Sequence, residues 1–188
     1  MQPVEISEIK NIADYELVRP DLRPRMMAVK DRRRIRVGGH LTFLFENRET
    51  VLYQIHEMMR IERIVRPEDV AHEVETYNEL IPGPGELSAS LLIEYDTPEE
   101  RAVRLRELLG LENHIWLETG GQRSQAEFDA RQIATDRISS VQYVKFKLSP
   151  KQVAAFPHGA TIVVDHDKYQ AKHPLTAEQL RELSQDLK

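Results

Sequence analysis

The residues best suited to chemistry are carboxylates that gather around one predicted helix and the proline–glycine loop that comes after it. Two carboxylates can act as general acid and general base, and several carboxylates with a histidine can hold a divalent metal. The candidate site comprises polar residues of this helix, of the end of the strand before it and of the loop region: Glu46, Asn47, His56, Glu57, Glu62, Tyr77, Asn78 and Glu86. The alternative is that the carboxylates are paired with arginines and have no chemical role.

Glu62 is the most informative of these residues because it falls on an otherwise apolar face of the predicted helix. It follows Met58 by four residues, Ile55 by seven and Val51 by eleven, so all four share one side. We expect Glu62 to be largely buried and to accept hydrogen bonds from an arginine, since buried carboxylates are usually paired. The rival hypothesis is that Glu62 is a metal ligand or a catalytic carboxylate.

Known metal motifs are missing from the sequence. The pairs His56-Glu57 and His72-Glu73 each begin like a zinc-protease helix, but no histidine follows three residues after the glutamate. The stretch 165–167 contains Asp, His and Asp, although adjacent residues rarely converge on one ion and a polar turn is the alternative. Without cysteine there is no thiolate zinc site and no cysteine-ligated iron–sulfur cluster. We therefore predict no cofactor, with a divalent metal at the carboxylate site as the alternative.

Known catalytic motifs are missing as well. The sequence contains no GxSxG nucleophile elbow and no cysteine nucleophile. The PGPG segment lacks the GK[ST] ending of a phosphate loop, and its prolines remove backbone N–H donors. Whether the protein is an enzyme is therefore left open by its sequence.

Basic residues are concentrated between Arg19 and Arg36, although the whole chain carries a net charge of −5. We define a basic docking patch by seven of them: Arg23, Arg25, Lys30, Arg32, Arg33, Arg34 and Arg36. Such a patch can dock on an acidic protein partner or pair with the acidic remainder of the same chain. Nucleic acid is a poor candidate, because the remainder is strongly acidic and no aromatic platform accompanies the basic residues.

A strand followed by a long helix positions the candidate site. Residues 41–45 form an apolar and aromatic run suited to a buried strand, and Asn47 is a good cap for the helix that follows. Gly38-Gly39 is predicted to turn a short strand, 35–37, into this run, with positive φ at one or both glycines. Upstream we expect two helices, one ending before Pro20 and the next running from there to about Arg33.

The second half alternates strands with capped helices. Thr97, Ser149 and Thr176 each begin a helix-capping sequence. In the strand at 141–148, the set Gln142, Val144, Phe146 and Leu148 is expected to face the core. The further predicted strands are 87–95, 114–118, 124–128 and 160–164.

These elements predict an α+β fold with a mostly antiparallel or mixed sheet, about six helices and a helical N-terminal portion, since several strand connections are too short for parallel crossovers. One domain is expected over 1–188, helix-rich in 1–80 and sheet-rich in 81–188. The 188 residues are 40% hydrophobic and 30% charged, as in an ordinary soluble protein. No apolar run approaches the roughly 20 residues of a membrane span, and the first residues do not resemble a secretory signal. A cytoplasmic location without membrane association is therefore expected.

Three segments carry a resemblance to a known family: LFENRET (44–50), QIHEMMRIERI (54–64) and ETYNELIPGPGELSAS (75–90). They resemble a bacterial family catalogued as domain of unknown function 3501, and the similarity extends to RPRMMAVKDRRRIRVGGHLT near the start and VVDHDKY near the end. Ser90 stands where the family is expected to have threonine. The family has no established activity, so the resemblance transfers no catalytic or ligand residue to this chain.

What the resemblance implies is a genomic context. Members are often encoded beside a rubrerythrin-type diiron protein and an iron–sulfur oxidoreductase, which implies an accessory role in redox or peroxide handling. The sequence thus leaves two functions open. One is a non-enzymatic accessory or interaction protein that docks on such a partner, and the other is a metal-binding protein or enzyme whose carboxylate site lies near the central helix and the PGPG loop.

Overall fold

In this computed structural model, which describes residues 1–132 and 136–188, eight strands form one antiparallel sheet. Their order across the sheet is β1-β2-β3-β6-β5-β4-β7-β8. The strands are β1 Arg34–Val37, β2 Leu41–Glu46, β3 Glu86–Ile93, β4 Ile115–Thr119, β5 Gln122–Phe128, β6 Val141–Lys147, β7 Ala160–His166 and β8 Tyr169–Pro174. All the strands that were predicted in the sequence are present, because apolar runs and two-residue alternation are local signals.

Six α-helices accompany the sheet within the described ranges. They are α1 Ile12–Arg32, α2 Arg48–Glu62, α3 Pro67–Asn78, α4 Pro98–Glu107, α5 Pro150–Ala155 and α6 Ala177–Leu183. The predicted caps are confirmed: the side chains of Asn47, Thr97, Ser149 and Thr176 each accept a hydrogen bond from the N–H three residues further on. Across these ranges, none of the helices combines the length and the hydropathy needed to cross a membrane.

The sheet curls until its first and last strands nearly meet. The Tyr169 hydroxyl of β8 donates to the carbonyl of Val37 at 2.7 Å and accepts from the N–H of His40 at 3.0 Å. Strand β5 pairs with β4 through its first half and with β6 through its second half, which lets the sheet bend. The inner face holds the main core, in which Phe43, Phe45 and Phe146 pack with ring centroids 6.4 Å apart.

Helices α1 to α3 pack outside this sheet. A second apolar cluster joins α2, α3 and the N-terminal segment, with Val4, Val51, Ile55 and Val74 buried in it and Tyr143 of β6 packed against it. Both faces of β3 are therefore largely covered, whereas β6 leaves Tyr143 and Lys145 half-buried on its outer face. The predicted inward set of β6 is confirmed.

The predicted fold class is wrong. The sheet is not mixed, and the first part of the chain is not a helical portion, because only α1 precedes the strands β1 and β2 that form one end of the sheet. Strand β2 pairs with β3 along its whole length, although α2 and α3 lie between them in sequence. Local patterns identify strands but do not say which distant strands will pair, and that pairing decides the fold.

The prediction of two helices before β1 is also wrong. Helix α1 runs through both Pro20 and Pro24, although proline in a helix interior removes a hydrogen bond and clashes with the preceding turn. Packing on α2 compensates, since Tyr15 is buried and Arg19, next to Pro20, forms an ion pair with Glu57 of α2. Tertiary contacts of this kind override local propensity.

Candidate functional site

Glu57 joins two helices rather than serving an open site. Its carboxylate accepts hydrogen bonds from the Tyr15 hydroxyl at 2.7 Å and from Arg19 Nε and Nη2 at 2.7 and 3.0 Å. The Arg19 hydrogen bonds hold the pKa of Glu57 below its usual range, against the opposing effect of burial. With these three hydrogen bonds, the Glu57 carboxylate holds α1 against α2 and has a structural role.

His56 and Asn78 hold the N-terminal segment in place. His56 Nδ1 donates to the carbonyl of Leu52 at 2.9 Å and Nε2 accepts from the N–H of Lys10 at 3.0 Å, so the ring is neutral. Burial lowers the pKa of His56, which favours the same neutral form. The Asn78 amide bonds both the N–H and the carbonyl of Val4, at 2.8 and 3.0 Å. Both side chains have structural partners and are unavailable to a ligand.

The expectation that Glu62 is buried and paired is wrong. Glu62 is exposed, and no basic residue of the described chain lies within salt-bridge distance of it. It is the last residue of α2, and the chain reverses at Arg63 in a left-handed conformation, φ 56°. Glu62 therefore lies on the same side of α2 as the buried Val51 and Ile55, but at the exposed end of that side.

Two further candidates are local structural residues. Asn47 caps α2 by accepting a hydrogen bond from the N–H of Thr50 at 2.9 Å. Glu86 accepts from the N–H of Gly83 at 2.9 Å and lies 3.6 Å from Lys145 Nζ, so it closes the PGPG loop. Neither residue forms a common site with Glu57 or Glu62.

No metal centre assembles from these residues. In the parts of the chain that the structure describes, no group of three or more metal-ligating side chains is close enough to hold an ion. Asp165 and His166 are consecutive in β7 and take opposite faces: Asp165 accepts from Trp116 Nε1 at 3.1 Å outside, while His166 Nε2 donates to the carbonyl of Leu109 at 3.1 Å. The metal-binding alternative therefore gains no support from the donor geometry.

Some residues of the basic docking patch are exposed, and others are buried or form ion pairs within the protein. Arg33 is 1% exposed and forms ion pairs with Asp186 and Glu182 of the C-terminal part, so including it in a surface patch was wrong. Others have partners on the surface: Arg25 lies 3.3 Å from Glu49, Arg32 lies 3.3 Å from Glu182, Arg34 lies 3.9 Å from Asp31, and Lys30 Nζ lies 5.5 Å from the ring of Tyr53. Arg23 and Arg36 are exposed.

Glu46 is the one candidate carboxylate that is buried without a cation. It is fully buried and accepts from Thr50 Oγ1 at 2.6 Å and Ser90 Oγ at 2.8 Å. Among the described residues no basic side chain reaches its carboxylate, and Arg33 instead donates to the backbone carbonyl of Glu46 at 3.2 Å. Burying a carboxylate whose only side-chain partners are hydroxyl groups lowers the stability of the fold. Glu46 is therefore a candidate for a functional role.

A cleft of about 500 Å³ lies beside Glu46 on the outer face of the sheet. Its floor comes from β3, β5 and β6, and its walls come from the end of α3 and the turn Ala130–Gln132. Strand register places Glu46 opposite Ser88, Ser88 opposite Lys145 and Lys145 opposite Glu127, so one row of outward side chains runs from the buried carboxylate across the floor.

The family model described as "Protein of unknown function (DUF3501)" matches residues 3–187. The chain belongs to the DUF3501 family. A crystal structure of a protein of unknown function from Burkholderia pseudomallei K96243 is similar over 100% of both chains, with a TM-score of 0.93 and 28% identity. No curated protein matches the chain.

Aromatic side chains face the cleft of this DUF3501 protein. Tyr77, Phe128 and Tyr143 line it. Burial raises the pKa of Tyr143, and the charges of Glu46 and Asp129 raise it further. Burial likewise raises the pKa of Tyr77. Both phenols therefore keep their protons at neutral pH and can donate hydrogen bonds to a bound molecule.

An arginine ties the two walls of the DUF3501 cleft together. Arg131 forms an ion pair with Glu79 at the end of α3 and lies 2.8 Å from Asp129 on its own wall. These hydrogen bonds from Arg131 hold the pKa of Asp129 below its usual range. The charge of Arg131 is thus already shared between two carboxylates.

Sequence reasoning identified only part of this DUF3501 cleft. Tyr77, which lines the cleft, and Glu46, which lies beside it, belonged to the candidate set, whereas Ser88, Arg131 and Tyr143 did not. The one usable signal was the outward position of Tyr143 in the alternation of β6, where a half-buried aromatic residue departs from the usual polar surface. No local sequence pattern distinguished Ser88 or Arg131 as residues of the cleft.

Proposed function

We propose that this DUF3501 protein binds a small organic molecule in the cleft between α3 and strands β3, β5 and β6. The observation that carries the proposal is the cleft itself, formed next to a fully buried carboxylate that has no cation partner in the described structure. Its volume lies in the range of small-molecule sites, roughly 300–1,000 Å³. Apolar rings combined with a few polar groups are typical of such sites.

Binding is better supported than catalysis. The cleft is lined by Thr76, Tyr77 and Tyr143, residues whose hydroxyl groups can hydrogen-bond a ligand. The carboxylates of its described lining are each paired with a cation, Glu79 and Asp129 with Arg131 and Glu127 with Lys147, so none of them is free to act as a general base. A ligand-binding accessory protein is therefore the function that this geometry favours.

Filling the cleft is expected to abolish ligand retention. Thr76 is exposed on the cleft wall, so Thr76→Trp should occupy the volume without disturbing the core. After incubation with the small-molecule fraction of a bacterial extract and desalting, native mass spectrometry should show a ligand adduct on the unmodified protein that falls at least about tenfold in Thr76→Trp, a loss of about 1.4 kcal/mol of binding free energy.

Val103→Trp is the matched control, because Val103 is 52% exposed on α4, away from the cleft. It should retain the ligand as the unmodified protein does. No adduct on the unmodified protein, or equal retention by Thr76→Trp, would contradict the proposed function.

A second candidate is an accessory protein that docks on an acidic protein partner. Its support is the exposure of Arg23, Arg25 and Arg36 on α1 and β1, since clustered basic side chains favour association with acidic surfaces at low ionic strength. The family resemblance implies a rubrerythrin-type protein or an iron–sulfur oxidoreductase as that partner.

Charge reversal tests this second candidate. In a pull-down at low ionic strength against a purified rubrerythrin-type protein, Arg23→Glu with Arg36→Glu should reduce retention at least about fivefold, because like charges then face each other. The control is Arg101→Glu with Arg106→Glu, two exposed positions on α4. Docking through this patch is refuted if the two double variants retain the partner equally, or if the unmodified protein retains none.

A further inference from the structure

We infer that the molecule bound in the cleft is a small organic cation, an inference that rests on the proposed function and specifies its ligand. Three features of the described site support it: the balance of charge around the cleft, the burial of Glu46 beside it, and the aromatic lining.

Acidic groups outnumber basic groups around the cleft. The carboxylates on or directly beside it are Glu46, Glu79, Glu86, Glu127 and Asp129, and the cations are Arg131, Lys145 and Lys147. Each of these cations already contacts a carboxylate: Arg131 contacts Asp129 at 2.8 Å, Lys145 contacts Glu86 at 3.6 Å and Lys147 contacts Glu127 at 2.7 Å. An anionic ligand would therefore meet surplus negative charge, whereas a cation would offset it.

Glu46 adds a buried negative charge directly behind the cleft lining. Its carboxylate is shielded from water and held by two hydroxyl donors. Its cross-strand neighbour Ser88 lines the cleft, and Tyr143 is the cross-strand neighbour of Ser90, which donates to Glu46. Because Glu46 is itself fully buried, water screens its negative charge less than it would screen the charge of an exposed carboxylate.

The aromatic lining suits the same class of ligand. Tyr77, Phe128 and Tyr143 line the cleft, and aromatic ring faces attract cations, most effectively where water is excluded. Quaternary ammonium groups are bound in this way by clusters of aromatic rings. The phenol hydroxyls and Thr76 remain able to hydrogen-bond an uncharged part of the same molecule.

The test compares two molecules that differ only in charge. Choline and 3,3-dimethylbutan-1-ol have the same shape, because a quaternary carbon replaces the ammonium nitrogen. Ligand-observed NMR titration should give a dissociation constant for choline at least about tenfold lower than for the neutral alcohol. Glu46→Gln, which keeps the shape of the side chain and removes its charge, should weaken choline binding at least about fivefold and leave the alcohol unchanged.

Tyr143→Leu provides a second variant in case Glu46→Gln disturbs the fold. It removes a ring from the cleft wall and should weaken choline more than the alcohol, since a neutral molecule gains no cation–π attraction. Equal affinity for the two probes, or binding of neither, would overturn the inference. Retention of a neutral or anionic metabolite that Thr76→Trp blocks would overturn it too, while leaving the proposed function intact.

Discussion

Replacing Arg33 by methionine is expected to lower the free energy of unfolding by on the order of 3–5 kcal/mol, because it strands a buried partner charge. The Arg33 guanidinium forms ion pairs with Asp186 and Glu182 and donates to the carbonyl of Phe45 at 2.9 Å. It thereby fixes the C-terminal helix α6 and the turn after it against β2. Urea denaturation followed by circular dichroism measures the loss.

The cost of Arg33→Met should also depend on pH. Burial raises the pKa of Asp186, and Arg33 opposes that effect. Without Arg33 the folded-state pKa of Asp186 rises further above its unfolded-state pKa. At a pH between these two pKa values, Asp186 is protonated in the folded variant and ionised in the unfolded chain. The destabilisation should therefore be largest above that raised pKa and become smaller as the pH falls through it.

Arg32 supplies the matched control for this prediction. It contacts the same Glu182 at 3.3 Å but is 41% exposed, and exposed ion pairs contribute roughly 0–1 kcal/mol. Arg32→Met should therefore be nearly neutral. A loss below about 1 kcal/mol for Arg33→Met would show that the buried pairs hold the C-terminal part only weakly.

Gly38→Val is expected to destabilise the protein by more than about 2 kcal/mol, because two penalties combine. Gly38 has φ +69°, a region that β-branched residues rarely adopt. A Cβ there would also overlap the Tyr169 hydroxyl and lie 3.1 Å from Ala171 Cβ. Tyr169 would have to move, and its two hydrogen bonds across the seam between β8 and the β1–β2 turn would be lost. Thermal and urea unfolding measure the change.

The neighbouring glycine is the control. Positive φ was predicted at one or both turn glycines, and only Gly38 has it; Gly39 does not, and a Cβ there would meet nothing within 4 Å. Gly39→Ala should be neutral or slightly stabilising, within about 1 kcal/mol, since alanine reduces the freedom of the unfolded chain. If Gly38→Val and Gly39→Ala unfold at the same urea concentration, the seam does not depend on the close approach of Tyr169.

The proposed ligand site and the stability of the sheet are separable in these experiments. Arg33 and Gly38 lie outside the cleft lining, whereas Thr76 and Tyr143 line it. Variants of the first pair should change unfolding without a specific effect on the ratio of choline to neutral-alcohol affinity. Variants of the second pair should change ligand binding with smaller effects on unfolding.

The sequence by itself determined the elements whose causes are local. Asn47, Thr97, Ser149 and Thr176 cap helices through hydrogen bonds that span three residues, so a short window contains the whole interaction. The alternation in β3 and β6 and the turn at Gly38-Gly39 are equally local. Glu46 and Tyr77 entered the candidate site because they stand at the end of a strand and near the end of a helix, which neighbouring residues reveal.

Only the tertiary structure decided which faces are covered and which distant residues meet. Helical arithmetic placed Glu62 with Val51 and Ile55, but α2 ends at Glu62, which is exposed although Met59 in the same last turn is buried. Arg33 belongs to a basic segment, yet it is buried because α6 and the turn after it, about 150 residues later, supply its partners Glu182 and Asp186. The cleft combines Thr76 with Tyr143 because β2, β3 and β6 pair across long sequence separations, and such pairing depends on the closure of the whole sheet, which no local pattern encodes.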